Sequence, residues 1–253
     1  MSEARVWLLG DYRRRPCLAN RSFRSTCFTN FLPHCRAELL AHLDGHREVR
    51  LHQYFHHLSS SQAFALNLFF PFFTASGFAA ASFFSHFESA VPAKWEFEPI
   101  PDRRQGTNVD VAWTLPNGGT VYCEVKLSEW EFGTARNLPK YKNKLEAIYR
   151  NGLRPLVPAE YLEIDTFRAH YQILRNVFLL SSDPKHRLVF LLPERNIRVR
   201  RKLERVMQDL RPNARQRVRV VFIETLLQSL VTDKRLSRSL RDHVAAVQAK
   251  YVP

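Results

Sequence analysis

A short stretch in the middle of the chain, residues 108–127, narrows most sharply what the whole can become. Asn108-Val109-Asp110-Val111-Ala112-Trp113 and Thr120-Val121-Tyr122-Cys123-Glu124-Val125-Lys126-Leu127 are rich in β-branched and aromatic residues, with Pro116-Asn117-Gly118-Gly119 between them. Asn-Gly accepts the positive φ of a tight reversal at both positions, so the spacing predicts an antiparallel hairpin. Side chains two apart in a strand share a face, which points Glu124 and Lys126 one way and Val121, Cys123 and Val125 the other. Folding at the turn then brings Asp110 beside Glu124. A lone carboxylate in an apolar strand is costly to bury unless it is paired, protonated or bound to a cation. Asp110, Glu124 and Lys126 therefore need one shared explanation.

Around the hairpin the hydrophobic period switches between helical and extended. Leu39, Leu40, Leu43, Leu51, Phe55 and Leu58 recur at three- and four-residue steps and predict helix from about residue 35 to 58. Residues 63–84 carry no charge and are crowded with Phe. The run is long enough to cross a bilayer, but Asn67, Pro71, Thr74, Ser76, Gly77 and Ser82 interrupt it, and Pro71 should bend or break the helix, so it reads as core. Residues 95–98 predict a strand ahead of the hairpin. After it come short helices around 138–148 and 167–178, a strand at 188–192 apolar on both faces, a helix at 201–210, a strand at 217–222, and helical pieces at 223–230 and 237–249. This order implies a central mixed sheet flanked by helices, a three-layer α/β domain over residues 60–253, with residues 1–59 an appended helical or irregular segment.

The 38 Lys+Arg residues outnumber 24 Asp+Glu, giving a formal charge of +14 and a pI near 10.1. Such a balance favours a polyanionic partner, and it also serves plain solubility. Between Arg195 and Arg219 the basic residues Arg195, Arg198, Arg200, Arg201, Lys202, Arg205, Arg211, Arg215, Arg217 and Arg219 face only Glu204 and Asp209. That excess suits a ridge following a phosphate backbone; a solvated helix and an edge strand guarded by Arg217 and Arg219 would show the same pattern. Four Cys are too few for a disulfide framework, and no secretion or lipidation motif is visible, so a cytoplasmic setting without membrane attachment is expected. Cys17, Cys27 and Cys35 are ten and eight residues apart, unlike the tight pairs of zinc modules, even with His42 or His46 nearby. His52 and His56 share a helical face with His57 next to them, but no acidic motif accompanies them. No Gly-Lys-Ser/Thr follows Gly118-Gly119, so no nucleotide cofactor is implied.

Two hard oxygen donors at an open cleft suit Mg²⁺ or Mn²⁺, and a neighbouring lysine can orient or deprotonate water or steady charge on an attacked phosphorus. Asp110, Glu124 and Lys126 thus suit phosphodiester hydrolysis; they would equally make a structural ion pair beneath a solvated sheet face. Gly106-Thr107-Asn108-Val109-Asp110-Val111 followed by Glu124-Val125-Lys126 resembles the core of the PD-(D/E)XK nuclease superfamily. Ser60-Ser61-Gln62, Asn67 with Phe69 and Pro71, and Glu124-Val125-Lys126-Leu127-Ser128-Glu129 with Phe132-Gly133 resemble a bacterial group within it designated restriction endonucleases. The resemblance spans residues 60–192, and Val109 stands where the superfamily has Pro.

The resemblance implies a restriction-endonuclease-like fold, cleavage of DNA, Mg²⁺ or Mn²⁺ held by Asp110, Glu124 and the Val125 backbone carbonyl, and Lys126 as the catalytic lysine. It further implies an acid ahead of the sheet, for which Glu88 is the first choice and Glu98 the second. Gln62, Asn67, Glu129, Gln172 and Arg175 are supporting candidates. Gln62 and Asn67 would bond backbone near the hairpin or shape the cleft, Glu129 would orient Lys126, draw a second cation or face solvent, and Arg175 would clamp a phosphate. Arg198, Arg200, Arg201, Lys202, Arg205, Arg215, Arg217 and Arg219 would follow the nucleic-acid backbone. Many relatives cut two strands, so a homodimer is expected. The alternative is a nucleic-acid-binding module of the same fold that does not cleave.

Overall fold

A computed structural model of the chain describes residues 30–52 and 54–252. Cys17, Cys27 and the arginines at 13–15, 21 and 24 lie outside the described residues. Among the described residues three helices precede the sheet: α1 Arg36–Gly45, α2 Ser61–Thr74 and α3 Phe78–Ser85. Five strands follow, β1 Lys94–Phe97, β2 Val111–Thr114, β3 Thr120–Val125, β4 Arg187–Leu192 and β5 Val218–Phe222, side by side in chain order. The first three form an antiparallel meander, and β3, β4 and β5 run parallel. Parallel neighbours cannot be joined by a tight turn, so each parallel step is a helical crossover. The first carries α4 Leu138–Lys144, a π-helical turn at Leu145–Tyr149, α5 Arg150–Leu153, α6 Ile164–Ala169 and α7 Tyr171–Phe178. The second carries α8 Ile197–Asp209 and α9 Pro212–Arg215, and α10 Ile223–Thr232 and α11 Arg238–Tyr251 end the chain.

Alternation along the strands sorts the core into two layers. Val111, Trp113, Val121, Cys123, Val125, Val189 and Leu191 face α2, α3, α10 and α11. Ala112, Tyr122, Leu188, Phe190 and Leu192 face the crossover helices. Phe31, Leu32, Leu39 and Phe55 are buried in the first layer, so residues 30–59 pack on the same core as α2. Among the described residues no helix is long and apolar enough to cross a membrane.

Three local expectations are corrected. The helix expected through residue 58 stops at Gly45, and residues 54–59 form a series of turns, pinned where Asn30 Nδ2 donates to the Phe55 and His57 carbonyls at 2.6 and 2.9 Å. Pro71 does not break α2. It removes the N–H that would bond the Asn67 carbonyl, and the buried His243 ring on α11 donates to that oxygen instead, from Nε2 at 2.8 Å. In the hairpin only Gly118 takes positive φ, +83°. Leu115 and Gly119 are bonded across the turn, 2.7 Å from Leu115 N to Gly119 O, and the Asn117 side chain accepts from Gly119 N–H at 3.0 Å. The reversal is therefore a three-residue loop with a left-handed glycine rather than a two-residue turn.

Candidate active site

The site is built from residues just beyond the ends of β1 and β3 and just before β2. Glu98 follows β1 with φ +55°, a conformation that ends the strand, and its carboxylate accepts from Asn108 Nδ2 at 2.9 Å. The strand expected from residue 108 begins only at Val111. Asp110 therefore sits at an irregular strand end, where its Oδ2 accepts the Val125 N–H at 2.6 Å. Carried one step past the Val111–Cys123 pair, the β2–β3 register sets Asp110 opposite Glu124.

Glu124 and Lys126 are 3% and 9% exposed, too buried for a solvated sheet face. Lys126 Nζ lies 2.9 Å from Glu124 Oε1, and Arg175 Nη2 lies 3.4 Å from both Glu124 oxygens. Arg175 is brought there by α7, which buries Ile173, Leu174 and Val177 against the crossover layer. Burial pushes the Glu124 carboxyl up, but Lys126 and Arg175 outweigh it and hold Glu124 below the usual carboxylate range. Burial likewise opposes the Lys126 ammonium, yet Glu124, Glu129 and Asp110 prevail and raise its pKa above that of an ordinary lysine. Asp110 goes the other way: burial, Glu124 and Glu98 together push it well above an ordinary aspartate. Glu98 is also raised, chiefly by burial and in part by Glu124, against hydrogen bonds from Asn108 and Gln62.

Beside these groups opens a cavity of about 790 Å³. Glu98, Asn108, Asp110, Ser128 and Glu129 line it from the sheet and the loop after β3, together with Arg50, His52, Tyr54, His57, Gln62 and the start of α2 from the chain before the sheet. Ser128 Oγ donates to the Ser59 carbonyl at 3.2 Å and ties the two sets together. Glu129 folds back so that its Oε2 accepts from the Leu127 and Ser128 N–H groups at 2.6 and 3.1 Å.

The remaining candidates separate. Glu88 is not at the cleft: its carboxylate pairs with Arg219 at 2.5 Å and its carbonyl accepts from Arg187. Arg187 opens β4 opposite Val121, at the far end of β3 from Val125. The second choice, Glu98, is the acid that joins Asp110. Gln62 bonds the 50–52 segment rather than the hairpin and lines the cleft. Asn67 is fully buried away from it, accepting from Leu32 N–H and donating to Asn30 O, Ala63 O and Tyr251 Oη. Gln172 lies against Gly133, where a Cβ would come within 2.5 Å of its Nε2.

The basic ridge is largely occupied by structural bonds. Arg215 caps the carbonyls of Gln208 and Leu210, Arg217 bonds Asn213, Leu180 and Asp183 carbonyls, and Arg219 pairs with Glu88. Lys202 donates to the Phe132 carbonyl at 3.3 Å, Arg200 pairs with Glu204 at 3.4 Å, and Arg205 lies beside Asp209 and Glu160. Arg198 and Arg201 are exposed; Arg198 lies 4.0 Å over the ring of Trp130, itself 70% exposed. Arg50 escaped the sequence reading, and His52 and His57 entered it only as metal-binding candidates without an acidic motif, although Ser60-Ser61-Gln62 beside a histidine-rich segment was the available signal. Among the described residues no three His, Cys, Asp or Glu side chains are grouped closely enough to hold an ion as they stand.

A mixed sheet sandwiched by helices, with acids and a lysine at the end of its hairpin, defines a restriction-endonuclease-like protein of three-layer α/β fold. The family model described as "Restriction Endonuclease associating with ARP" matches residues 9–252, and the chain belongs to that family. No curated protein and no solved structure gives a significant match.

Proposed function

We propose that the chain is a nuclease that hydrolyses DNA phosphodiester bonds with Mg²⁺ or Mn²⁺ in the cleft beside the hairpin. The observation that carries this reading is that Asp110 and Glu98 line one open cavity while the buried Glu124–Lys126 pair lies close enough to Asp110 to act on its charge. Asp110 and Glu98 are hard oxygen donors, raised first by burial and then by neighbouring acids, Glu124 for both and Glu98 for Asp110, and a divalent cation offsets both effects, so the residues fit such an ion. Asp110 and Glu124 would hold it with the Val125 carbonyl, and Glu98 would be the third acid. When bound, the ion supplies Lewis acidity at a phosphate oxygen and acidifies water.

Lys126 remains an ammonium at neutral pH, because the acids around it stabilise its charge. As an ammonium it can orient water and steady negative charge on the attacked phosphorus. Arg175, bonded to Glu124, is a positioning residue. Hydrolysis leaves a phosphate and a hydroxyl end, and a homodimer would present one such cleft to each strand of a duplex. The family description extends the proposal to an association with ARP.

One observation favours a second reading, a nucleic-acid-binding module that does not cleave: Glu124 is already engaged by both Lys126 and Arg175. The test incubates purified protein with linear, nicked, single-stranded and branched DNA in Mg²⁺ or Mn²⁺. Metal-dependent cleavage that falls by about 100-fold or more in Lys126→Ala and in Asp110→Asn is the expected result. Cleavage unchanged by Lys126→Ala places the activity elsewhere. Salt-sensitive binding with no cleavage in either metal replaces the proposal with the second reading.

A further inference from the structure

The acids share the cavity with residues of the segment that precedes α2. These residues bring hydrogen-bond donors held in place by two buried amides, Gln62 at residues 50–52 and Asn30 at the Phe55 and His57 carbonyls. Gln62, 7% exposed on α2, donates from Nε2 to the Arg50 carbonyl at 2.9 Å and accepts the His52 N–H on Oε1 at 2.8 Å, fixing the backbone of both residues. His52 Nδ1 accepts from the Tyr54 N–H at 3.2 Å, so the neutral ring carries its proton on Nε2 as a donor. The Arg50 side chain is exposed and has no carboxylate partner among the described residues. A phosphate approaching Glu98, Asp110 and Glu129 meets like charge beyond what one divalent ion neutralises, and cationic and N–H groups lining the same cavity help to offset it.

We infer that Arg50 and His52 bind the substrate's phosphodiester backbone within the cavity that the acids also line, with Gln62 as the positioning residue. His57 and Tyr54 line the same cavity, and Ser128 joins their segment to the β3 end. The inference rests on the nuclease reading for its substrate, yet binding alone can decide it. It also gives the 50–59 segment a role that its histidines, taken without their neighbours, do not suggest.

The experiment measures binding of a short labelled DNA duplex by fluorescence anisotropy in Ca²⁺ across a salt series, and kcat and KM for cleavage in Mg²⁺ or Mn²⁺. Arg50→Ala is expected to weaken binding about tenfold and to lower the slope of log Kd against log salt by about one, with Arg50→Lys restoring the slope. His52→Ala and Gln62→Ala should raise KM several-fold while kcat stays within about threefold, because a contact equal in ground and transition states moves KM alone. Arg50 is exposed, so its variants report binding even if Gln62→Ala impairs folding. Unchanged Kd and salt slope in Arg50→Ala and His52→Ala overturn the inference, and leave the nuclease reading intact if the parent protein cleaves. If the parent binds without cleaving, the nuclease reading falls while the variants still decide this inference. If the parent does not bind, both fall.

Discussion

Asp110 sits where burial and two other acids all resist its ionisation. The unfolded chain gives up that proton in the ordinary carboxylate range, and the folded chain only at higher pH. Below both values the two states are equally protonated and nothing is lost; stability then falls as pH rises between them, and the penalty is constant above the folded value. Asp110→Asn keeps an acceptor for the Val125 N–H and removes the penalty. Its Tm at neutral pH is expected to exceed the parent's by about 2–4 °C, what ~1 kcal/mol amounts to in a chain of this size. The gap should close by about pH 3, where the carboxyl is protonated in both states; calorimetry across pH checks it. A stabilised variant that no longer cleaves marks Asp110 as a functional residue held at the expense of stability. Lys126→Ala should behave oppositely, losing about 3 kcal/mol in urea denaturation, because Glu124 stays buried with Arg175 alone for company.

Elements depend on partners that their own sequence does not contain. The hairpin is read from Asn117-Gly118, but its seat on the fold is Gly119, where a Cβ would come within 2.6 Å of the Lys185 carbonyl. Backbone cannot yield as a flexible side chain can, so Gly119→Ala is expected to cost about 1–3 kcal/mol, read as a lower urea midpoint. The next residue bears on the same corner, since Thr120 N–H donates to His186 Nδ1 at 3.0 Å. Helix α2 makes the converse case. Taken alone, Pro71 argues for a break, and the helix continues because α11 lends His243 to the carbonyl that proline leaves without an N–H. Propensity rules describe a segment in isolation, and here a residue more than 170 positions away supplies the missing donor.

For the whole molecule the question is which part of the +14 charge reaches a nucleic acid. Arg217, just before β5, is engaged by the Leu180 and Asp183 carbonyls and Arg219, on β5, by Glu88, at the sheet end away from the cleft. At the cleft end, Asn196 caps α8 and also donates to the Glu129 carbonyl at 2.8 Å, which sets Arg198 and Trp130 beside the acid-lined cavity. Arg198→Ala is accordingly expected to lower the salt slope of DNA binding by about one, and Arg219→Ala to leave it nearly unchanged. An anisotropy titration at several ionic strengths separates the two, and equal effects would restore a continuous ridge. Asn67 also belongs to this scale, since it joins residues 30–32, α2 and Tyr251 of α11.

The succession of strands and helices along the chain, the two-layer core and the pairing of Glu124 with Lys126 follow from the chain's own periodicities, because a two-residue alternation fixes which side chains share a face whatever the rest of the fold does. Asp110 opposite Glu124 follows for the same reason once the turn is known. Sequence could not choose between Glu88 and Glu98: both take positive φ, and only the packing of the sheet sends one to Arg219 and the other toward Asp110. Nor could it sort the arginines, whose reach to a carbonyl or to open solvent depends on what lies across from them. The donor segment at residues 50–57 was hidden for the same physical reason. Its histidines acquire acids for neighbours only when α2 is laid against the sheet and Gln62 holds the segment over the cavity.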